Sequence, residues 1–317
     1  MTKLSMKKLI LNFFLWFALL IPSFFQSQAY RKIYGFSDEI NQRLESFLNS
    51  TLTKTERKVA VFDCDGTLLG QSPFYLSEEA IYSYAKDNYY GKTDAKSKEK
   101  MKYIDELIHP KEEYGYLQNS LNFLSGMSPY EIEQIGMNTY QQKFQGKFYP
   151  EMKQLLANLK EYGFEIWVVT ASTELLYQGF INYELGIPKE RIIGMKSVIS
   201  SDNKVTNKLI IPYPQDNGKA EAINTYIKTL PMIVGGNSRG DMEMMNLATD
   251  LKIIVNPDNL KVEKGKYSGA MNGYTVKEYW EKDPNCISVY TNDIRIGNIK
   301  YITEENGIKP NRENPKK

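Results

Sequence analysis

A chain of 317 residues, 42% apolar and 25% charged, can build one large core or two smaller ones and is too apolar for wholesale disorder. Its 40 basic and 38 acidic residues give a formal charge of +2, and the first 29 residues contribute Lys3, Lys7 and Lys8 to that balance but no acid. The remainder is nearly neutral, which gives no electrostatic reason to expect nucleic acid or an anionic membrane as a partner.

Residues 1–29 carry the marks of a signal peptide. Lys7-Lys8 precedes the apolar run Leu9–Leu20, Pro22 follows, and Ser27 and Ala29 place small residues at the −3 and −1 positions of a cleavage site. The run is shorter than the ~20 residues of a spanning helix, so the expectation is a periplasmic or secreted protein with no stable membrane anchor. Residues 30–57 predict an extension built on an amphipathic helix, with Ser37 as cap and Ile40, Leu44, Phe47 and Leu48 on one face.

Val59–Phe62 is a short apolar run of the kind buried on both faces of a parallel sheet. It stops at Asp63, and Asp65 and Gly66 follow. Carboxylates at the carboxyl end of such a strand sit where open α/β sheets bind ligands. Two unit charges about 4 Å apart repel by about 4 kcal/mol at an effective dielectric of 20, so a cation must hold both ionised or one must keep its proton. The alternative is a plain turn before Gly66. Cys64 lies between the two acids, where a bridge to Cys286 would distort the loop, so both cysteines are expected as free thiols.

From 71 to 149 no buried strand run appears, and helix starts recur at Ser77-Glu78-Glu79 and at Ser128-Pro129-Tyr130-Glu131, the latter with a capping box and proline at the first position. The lysine-rich stretch Thr93–Lys102 is expected to be solvated, and His109, the lone histidine, to be structural or on the surface. This block reads as an inserted helical cap between two parts of a core, 58–70 and 150–257. The second part alternates: helix Glu151–Tyr162 stopped by Gly163, strand Phe164–Val169 ended by Thr170-Ala171-Ser172, a helix from there to about Leu185, and a strand with a hairpin turning at Asp202-Asn203. Helix Lys219–Lys228, strand Met232–Val234, helix Asp241–Ala248 and strand Leu251–Val255 complete it. That order predicts an α/β fold with a doubly wound parallel sheet. Residues 258–317 predict an extension with a hairpin, Ile287–Tyr290 against Ile294–Tyr301, and a polar tail that frays from Lys309.

Four segments therefore bring chemistry to strand ends and helix starts: Asp63-Cys64-Asp65-Gly66-Thr67, Val168-Val169-Thr170-Ala171-Ser172, Gly218-Lys219, and Gly236-Asn237-Ser238-Arg239-Gly240-Asp241. In this order they resemble the successive motifs of the haloacid dehalogenase-like (HAD) phosphohydrolases. With Ser125–Glu131 and the long Thr170–Lys219 segment, the likeness is to the phosphoserine phosphatase-like branch, which includes phosphocholine and phosphoethanolamine phosphatases. The resemblance implies a phosphoric monoester hydrolase with a HAD-like core and cap. It casts Asp63 as nucleophile, Asp65 as general acid and base, and Thr170 and Lys219 as partners of the phosphoryl group. Gly66, Thr67, Ala171 and Ser172 would help bind the substrate, and Asp63, Asp65 (through its carbonyl), Asn237 and Asp241 would hold Mg²⁺. The family usually has Asp where Asn237 stands, so the site carries one negative charge fewer. Singly, Thr170 would be a strand end, Lys219 a solvated lysine, Asn237 and Ser238 helix caps, and Asp241 a response to the helix dipole.

The cap is aromatic: Phe74, Tyr75, Tyr82, Tyr84, Tyr89, Tyr90, Tyr103, Tyr114, Tyr116 and Phe123. Most suit a core, and a few at the entrance would suit a quaternary ammonium group through cation–π contact. The expected function is an exported, Mg²⁺-dependent phosphatase of a small phosphomonoester such as phosphoserine or phosphocholine. Its rivals are a phosphotransferase using the same intermediate and a non-catalytic protein that binds a phosphate ligand.

Overall fold

The run after Lys58 is strand β1 (Val59–Phe62), and all four of its residues are buried. The computed structural model describes residues 29–111, 115–261 and 269–316, so Tyr114 and all of the leader but Ala29 lie outside the described residues. β1 is joined by β2 (Glu165–Thr173), β3 (Ile192–Met195), a separate pair β4 (Ser197–Ile199) and β5 (Val205–Leu209), then β6 (Ile233–Gly236), β7 (Leu251–Val255) and β8 (Cys286–Val289). The main sheet has the order β3-β2-β1-β6-β7-β8, and its neighbours run parallel. Successive strands lead outward from β1 on one side to β3 and on the other to β8, so the order reverses beside β1. That is the position at which such sheets open a crevice at their carboxyl ends. Phe62 pairs with Val168 on one side and Gly235 on the other, which aligns the ends of β1, β2 and β6. A core of Val59, Val61, Val169, Val234, Ile254 and Trp280 packs under this arrangement.

The expected alternation of strand and helix is present, with local differences. β2 runs on through Thr170-Ala171-Ser172 to Thr173 with an irregular register after Val169. The segment after Lys219 is α-helical only over Asn217–Ala222 and continues as a π-helical turn, Ile223–Ile227. The helix expected over 241–248 is cut to Met242–Met245 behind a 3₁₀ turn. Helix α1 (Asp38–Ser50) starts at Ser37 as expected and buries Leu44, Phe47 and Leu48. Arg43 fastens it to the carbonyls of Pro284 and Cys286 at 2.7 and 3.2 Å.

The inserted block supplies α2 (Leu76–Asn88), α3 (Ala95–Ile108), α4 (Gly115–Leu124) and α5 (Pro129–Thr139). The capping box of Ser128 and Glu131 is formed, whereas Ser77 lies in the first turn of α2 and Tyr75 occupies the cap position. Lys100 is not solvated: its ammonium donates to the carbonyls of Asn122, Phe123 and Ser125 at 2.5–3.2 Å, where the end of α4 exposes unpaired acceptors. The cap also takes in the β4–β5 hairpin, because Gly126 donates to Val205 and Val205 to Met127, each at 2.8 Å.

The carboxyl-terminal extension overturns two expectations. Its first apolar run is β8, a parallel edge strand against β7, and no hairpin partner follows among the described residues. Nor does the tail fray. Asn311 donates to Pro73 at 2.7 Å, Ser72 donates to Arg312 at 2.7 Å, and Asn314 pairs with Asp293. The buried Asp293 carboxylate accepts from the amides of Gln71 and Ser72 at 3.0 and 3.1 Å and from Lys147 at 3.3 Å. Both chain crossings between core and cap are thus tied to residues past 290. Further along, Glu79 of α2, fully buried, accepts from the backbone of Ile302 and Thr303 at 3.0 and 2.9 Å.

Candidate active site

Asp63 follows directly from β1, and its amide still bonds to Gly235 at 3.0 Å, so the residue is held at the carboxyl end of the sheet beside β6. Lys219 reaches it from the start of the 217–222 helix. The Lys219 ammonium donates to Asp63 Oδ1 and to Asp241 Oδ1, at 2.6 Å each, so these oxygens lie no farther apart than twice that length. All three residues are buried. The other oxygen of Asp63 accepts from the Thr67 hydroxyl at 3.1 Å. The other oxygen of Asp241 accepts from the amides of Asn237 and Ser238 at 3.0 Å each and from the Ser238 hydroxyl at 3.2 Å. Asp241 therefore fixes the loop after β6 and aims the lysine. Gly236 permits this approach, because a Cβ there would lie 2.5 Å from that of Asp241.

One ammonium serves two carboxylates, which leaves negative charge uncompensated in a buried place. Burial, partly offset by Lys219 and reinforced by the Asp241 charge, pushes Asp63 up to about 7. Burial works against the Lys219 ammonium as well, but Asp241 and Asp63 outweigh it and hold the lysine above its ordinary value. The site is short of positive charge.

Asp65 points the other way. Its carboxylate accepts from the Tyr177 hydroxyl at 2.8 and 3.0 Å and from the Ser172 hydroxyl at 3.2 Å. Burial raises it to about 6, against the pull of these two donors. A carboxyl with that value gives or takes a proton near neutrality. Tyr177, in the helix Glu174–Leu185, escaped the sequence reading. The available signal was its place one turn past Thr173, on a helix that begins at the site.

The residues expected to bind substrate divide. Thr170, Ala171 and Ser172 line the cavity. Thr170 Oγ1 accepts from the Ser172 amide at 3.2 Å, which leaves the hydroxyl proton to be donated elsewhere. Gly66 and Thr67 do not face the cavity. Their amides are spent on Leu69 and Cys64, at 2.7 and 3.2 Å, and their work is to shape the loop. Gly66 has φ +81°, and a Cβ there would collide with the Asn237 amide. Cys64 is a buried free thiol whose pKa burial and the adjacent carboxylates raise well above the usual value, which excludes it as a nucleophile at neutral pH.

Among the described residues no three carboxylate, imidazole or thiol side chains gather in a metal-holding group. A cation here would take two carboxylates and neutral oxygens, a set suited to a hard ion such as Mg²⁺. The Asn237 amide is the informative group. With its oxygen inward it lies 3.2 Å from the Asp65 carbonyl and 3.3 Å from Asp241 Oδ2, acceptors facing acceptors. Turned over, its nitrogen donates to both. The nitrogen-inward orientation is the one the surrounding acceptors support, and the side chain still offers one neutral oxygen. The donor set fits the metal.

Above these groups lies a cavity of about 470 Å³, lined by the catalytic candidates below and by Tyr75, Glu78, Tyr82 and Tyr116 of the cap. The Tyr116 hydroxyl donates to Gln215 at 2.8 Å across its rim. Burial, and then the neighbouring Glu79, raise Glu78 to about 7.

The family model for haloacid dehalogenase-like hydrolases matches residues 60–246, more than half of the chain, spanning β1, the cap and the 237–241 loop. The chain belongs to this family. A HAD-like hydrolase fold accounts for the sheet order and for the cap inserted after β1. Similar solved structures include a protein of unknown function from Anaerococcus prevotii, with 16% identity, a TM-score of 0.56, and coverage of 73% of this chain and 89% of that one. A second, from Bordetella pertussis and also of unknown function, has 17% identity, a TM-score of 0.52, and coverage of 64% and 92%. A phosphoserine phosphohydrolase-like protein from Francisella tularensis has 21% identity and a TM-score of 0.40 over 62% of this chain and 87% of its own. No curated protein matches the sequence. The first two likenesses bear on the fold alone, and the site chemistry rests on the geometry above.

Proposed function

We propose that this hydrolase is an exported, Mg²⁺-dependent phosphatase that cleaves a small organic phosphomonoester through an aspartyl-phosphate on Asp63. The observation that carries the proposal is the buried pair Asp63 and Asp241 sharing one ammonium, with a third, separately held carboxylate, Asp65, two residues after Asp63. In the first step an Asp63 oxygen attacks phosphorus and the bond to the leaving oxygen breaks, while Asp65 gives its proton to that oxygen. In the second, Asp65 takes a proton from a water that attacks the same phosphorus, which releases inorganic phosphate and restores Asp63. Thr170 and Lys219 hold the phosphoryl oxygens, and Tyr177 and Ser172 keep Asp65 turned toward the leaving group. When bound between Asp63, the Asp65 carbonyl, Asn237 and Asp241, Mg²⁺ would supply the positive charge that lets two carboxylates and a phosphate share this space. The export rests on the basic, apolar and small-residue pattern of the first 29 residues.

The cap favours a leaving group that carries a cation. Glu78 projects into a wall formed with Tyr75, Tyr82 and Tyr116, and an ammonium there would meet one carboxylate and several π faces. Phosphocholine and phosphoethanolamine have that chemistry.

Hydrolysis of an aryl phosphate with Mg²⁺, by wild type and by Asp63→Asn, tests the activity. Turnover in the wild type alone supports the proposal, and equal rates in both would defeat it. A panel of phosphocholine, phosphoethanolamine, phosphoserine and sugar phosphates tests the leaving group. The Glu78→Gln variant should lose the cationic esters and keep the neutral ones.

A further inference from the structure

A second cavity, of about 370 Å³, lies against the same cap helix. α2 borders both: Ser77, Glu78 and Ile81 face the active-site cavity, while Ala85 and Lys86, one turn on, face the second. α3 divides in the same way, with Leu107 toward the first and Ile104 and Ile108 toward the second. Tyr82 belongs to both walls, the one residue they share among the described residues, and is 4% exposed. Lys219 and Thr170 line the same cavity as Tyr82, across from the cap.

We propose that Tyr82 sets the length of leaving group the enzyme accepts, because it stands between the active-site cavity and a second, open and partly apolar groove that would otherwise take an alkyl chain. That groove offers Ile104, Ile108 and Ile302 to such a chain, beside Asp105 and the ion pair of Lys86 and Glu305, and each methylene moved from water onto the apolar part of that surface favours binding severalfold. The inference rests on the phosphomonoesterase reading and adds to it the residue that limits substrate size.

The test is a series of n-alkyl phosphates from ethyl to octyl, assayed with Mg²⁺ on wild type, Tyr82→Phe, Tyr82→Val and Tyr82→Ala, with the melting temperature of each protein measured in parallel. In the wild type and Tyr82→Phe, kcat/KM should fall as the chain outgrows the first cavity. In Tyr82→Ala the octyl-to-ethyl ratio should rise by about tenfold or more, chiefly through KM, with Tyr82→Val between. If Tyr82→Ala and Tyr82→Val lower all esters alike, Tyr82 is structural and the inference is wrong. A shift of the profile in Tyr82→Phe would likewise overturn it, since the ring remains. Failure of the wild type on every ester would instead strike at the activity itself. Hydrolysis of short esters with no gain for long ones removes this inference alone.

Discussion

Replacing Tyr177 with Phe removes one hydroxyl and little volume, and that hydroxyl holds the Asp65 carboxylate at 2.8 Å. A hydrogen bond to a charged group contributes about 1.5–3 kcal/mol, and one to a neutral partner about 0.5–1.5. The ionised form of Asp65 therefore loses more than the protonated form, by about 1–1.5 kcal/mol. At about 1.4 kcal/mol per pKa unit, the carboxyl should move from about 6 to about 7. Asp65 must carry its proton when an alkoxide leaves, so the alkaline limb of kcat/KM for an alkyl phosphate should move up by about one pH unit in Tyr177→Phe. An aryl phosphate, whose leaving group departs without a proton, serves as the control and should shift much less. Stability gives a second readout. The folded value of Asp65 is raised above its ordinary 3.8, so folding takes up a proton between the two values, and stability falls as pH rises through that window. Tyr177→Phe deepens the loss, and its melting temperature should drop further below wild type at about pH 8 than at about pH 4. An unmoved alkaline limb with the alkyl ester would refute the assignment of Asp65 as the proton donor held by Tyr177.

Three further perturbations probe the rest. Lys219→Met leaves two buried carboxylates without their common partner and should cost about 3–5 kcal/mol in metal-free denaturant melts; a loss under about 1 kcal/mol would show that the pair is not held as described. The folded value of Asp63 also lies above its ordinary one, so its ionisation costs stability as pH rises from about 4 to 7. Mg²⁺ competes with that proton, and its thermal stabilisation should be larger at about pH 8 than at about pH 5, with the reverse order counting against Asp63 as a ligand. Asp293→Ala strips the amides of Gln71 and Ser72 and the buried Lys147 of their acceptor. It should destabilise the protein by about 3 kcal/mol and speed proteolysis at the core–cap crossings, and an unchanged cleavage rate would show that the extension does not fasten them.

The core was legible because both of its signals are local. Apolar runs such as Val59–Phe62 and Leu251–Val255 alternate with capped helices, and the chemistry sits at the ends of those runs, as a parallel sheet requires. What sequence could not supply was the set of long-range partners. Gly66 and Thr67 belong to the first motif, but their amides close the loop on itself, and no spacing rule distinguishes that use from an oxyanion site. Tyr177 reads as an ordinary core tyrosine until the helix after β2 brings its hydroxyl to Asp65 in the loop after β1. Lys100 stands in a charged run, yet the end of α4 lies beside it and takes all three of its protons. The last 30 residues are polar because their side chains and amides bind the crossings into the cap, and polar composition alone suggests a loose tail. The helix expected to run to Ala248 ends at Met245 because the amides of Leu247 and Ala248 turn to the carbonyls of Met244 and Met245, three residues back, at 3.1 Å each.

The central claim is that Asp63 attacks phosphorus, and the most direct measurement is mass spectrometry of acid-quenched enzyme during turnover with Mg²⁺ and substrate. A phosphoryl adduct should appear on the peptide containing Asp63, form as fast as the alcohol is released, decay as phosphate appears, and be absent from Asp63→Asn. Turnover at the full rate with no adduct on Asp63, or with the adduct on another residue, would contradict the account.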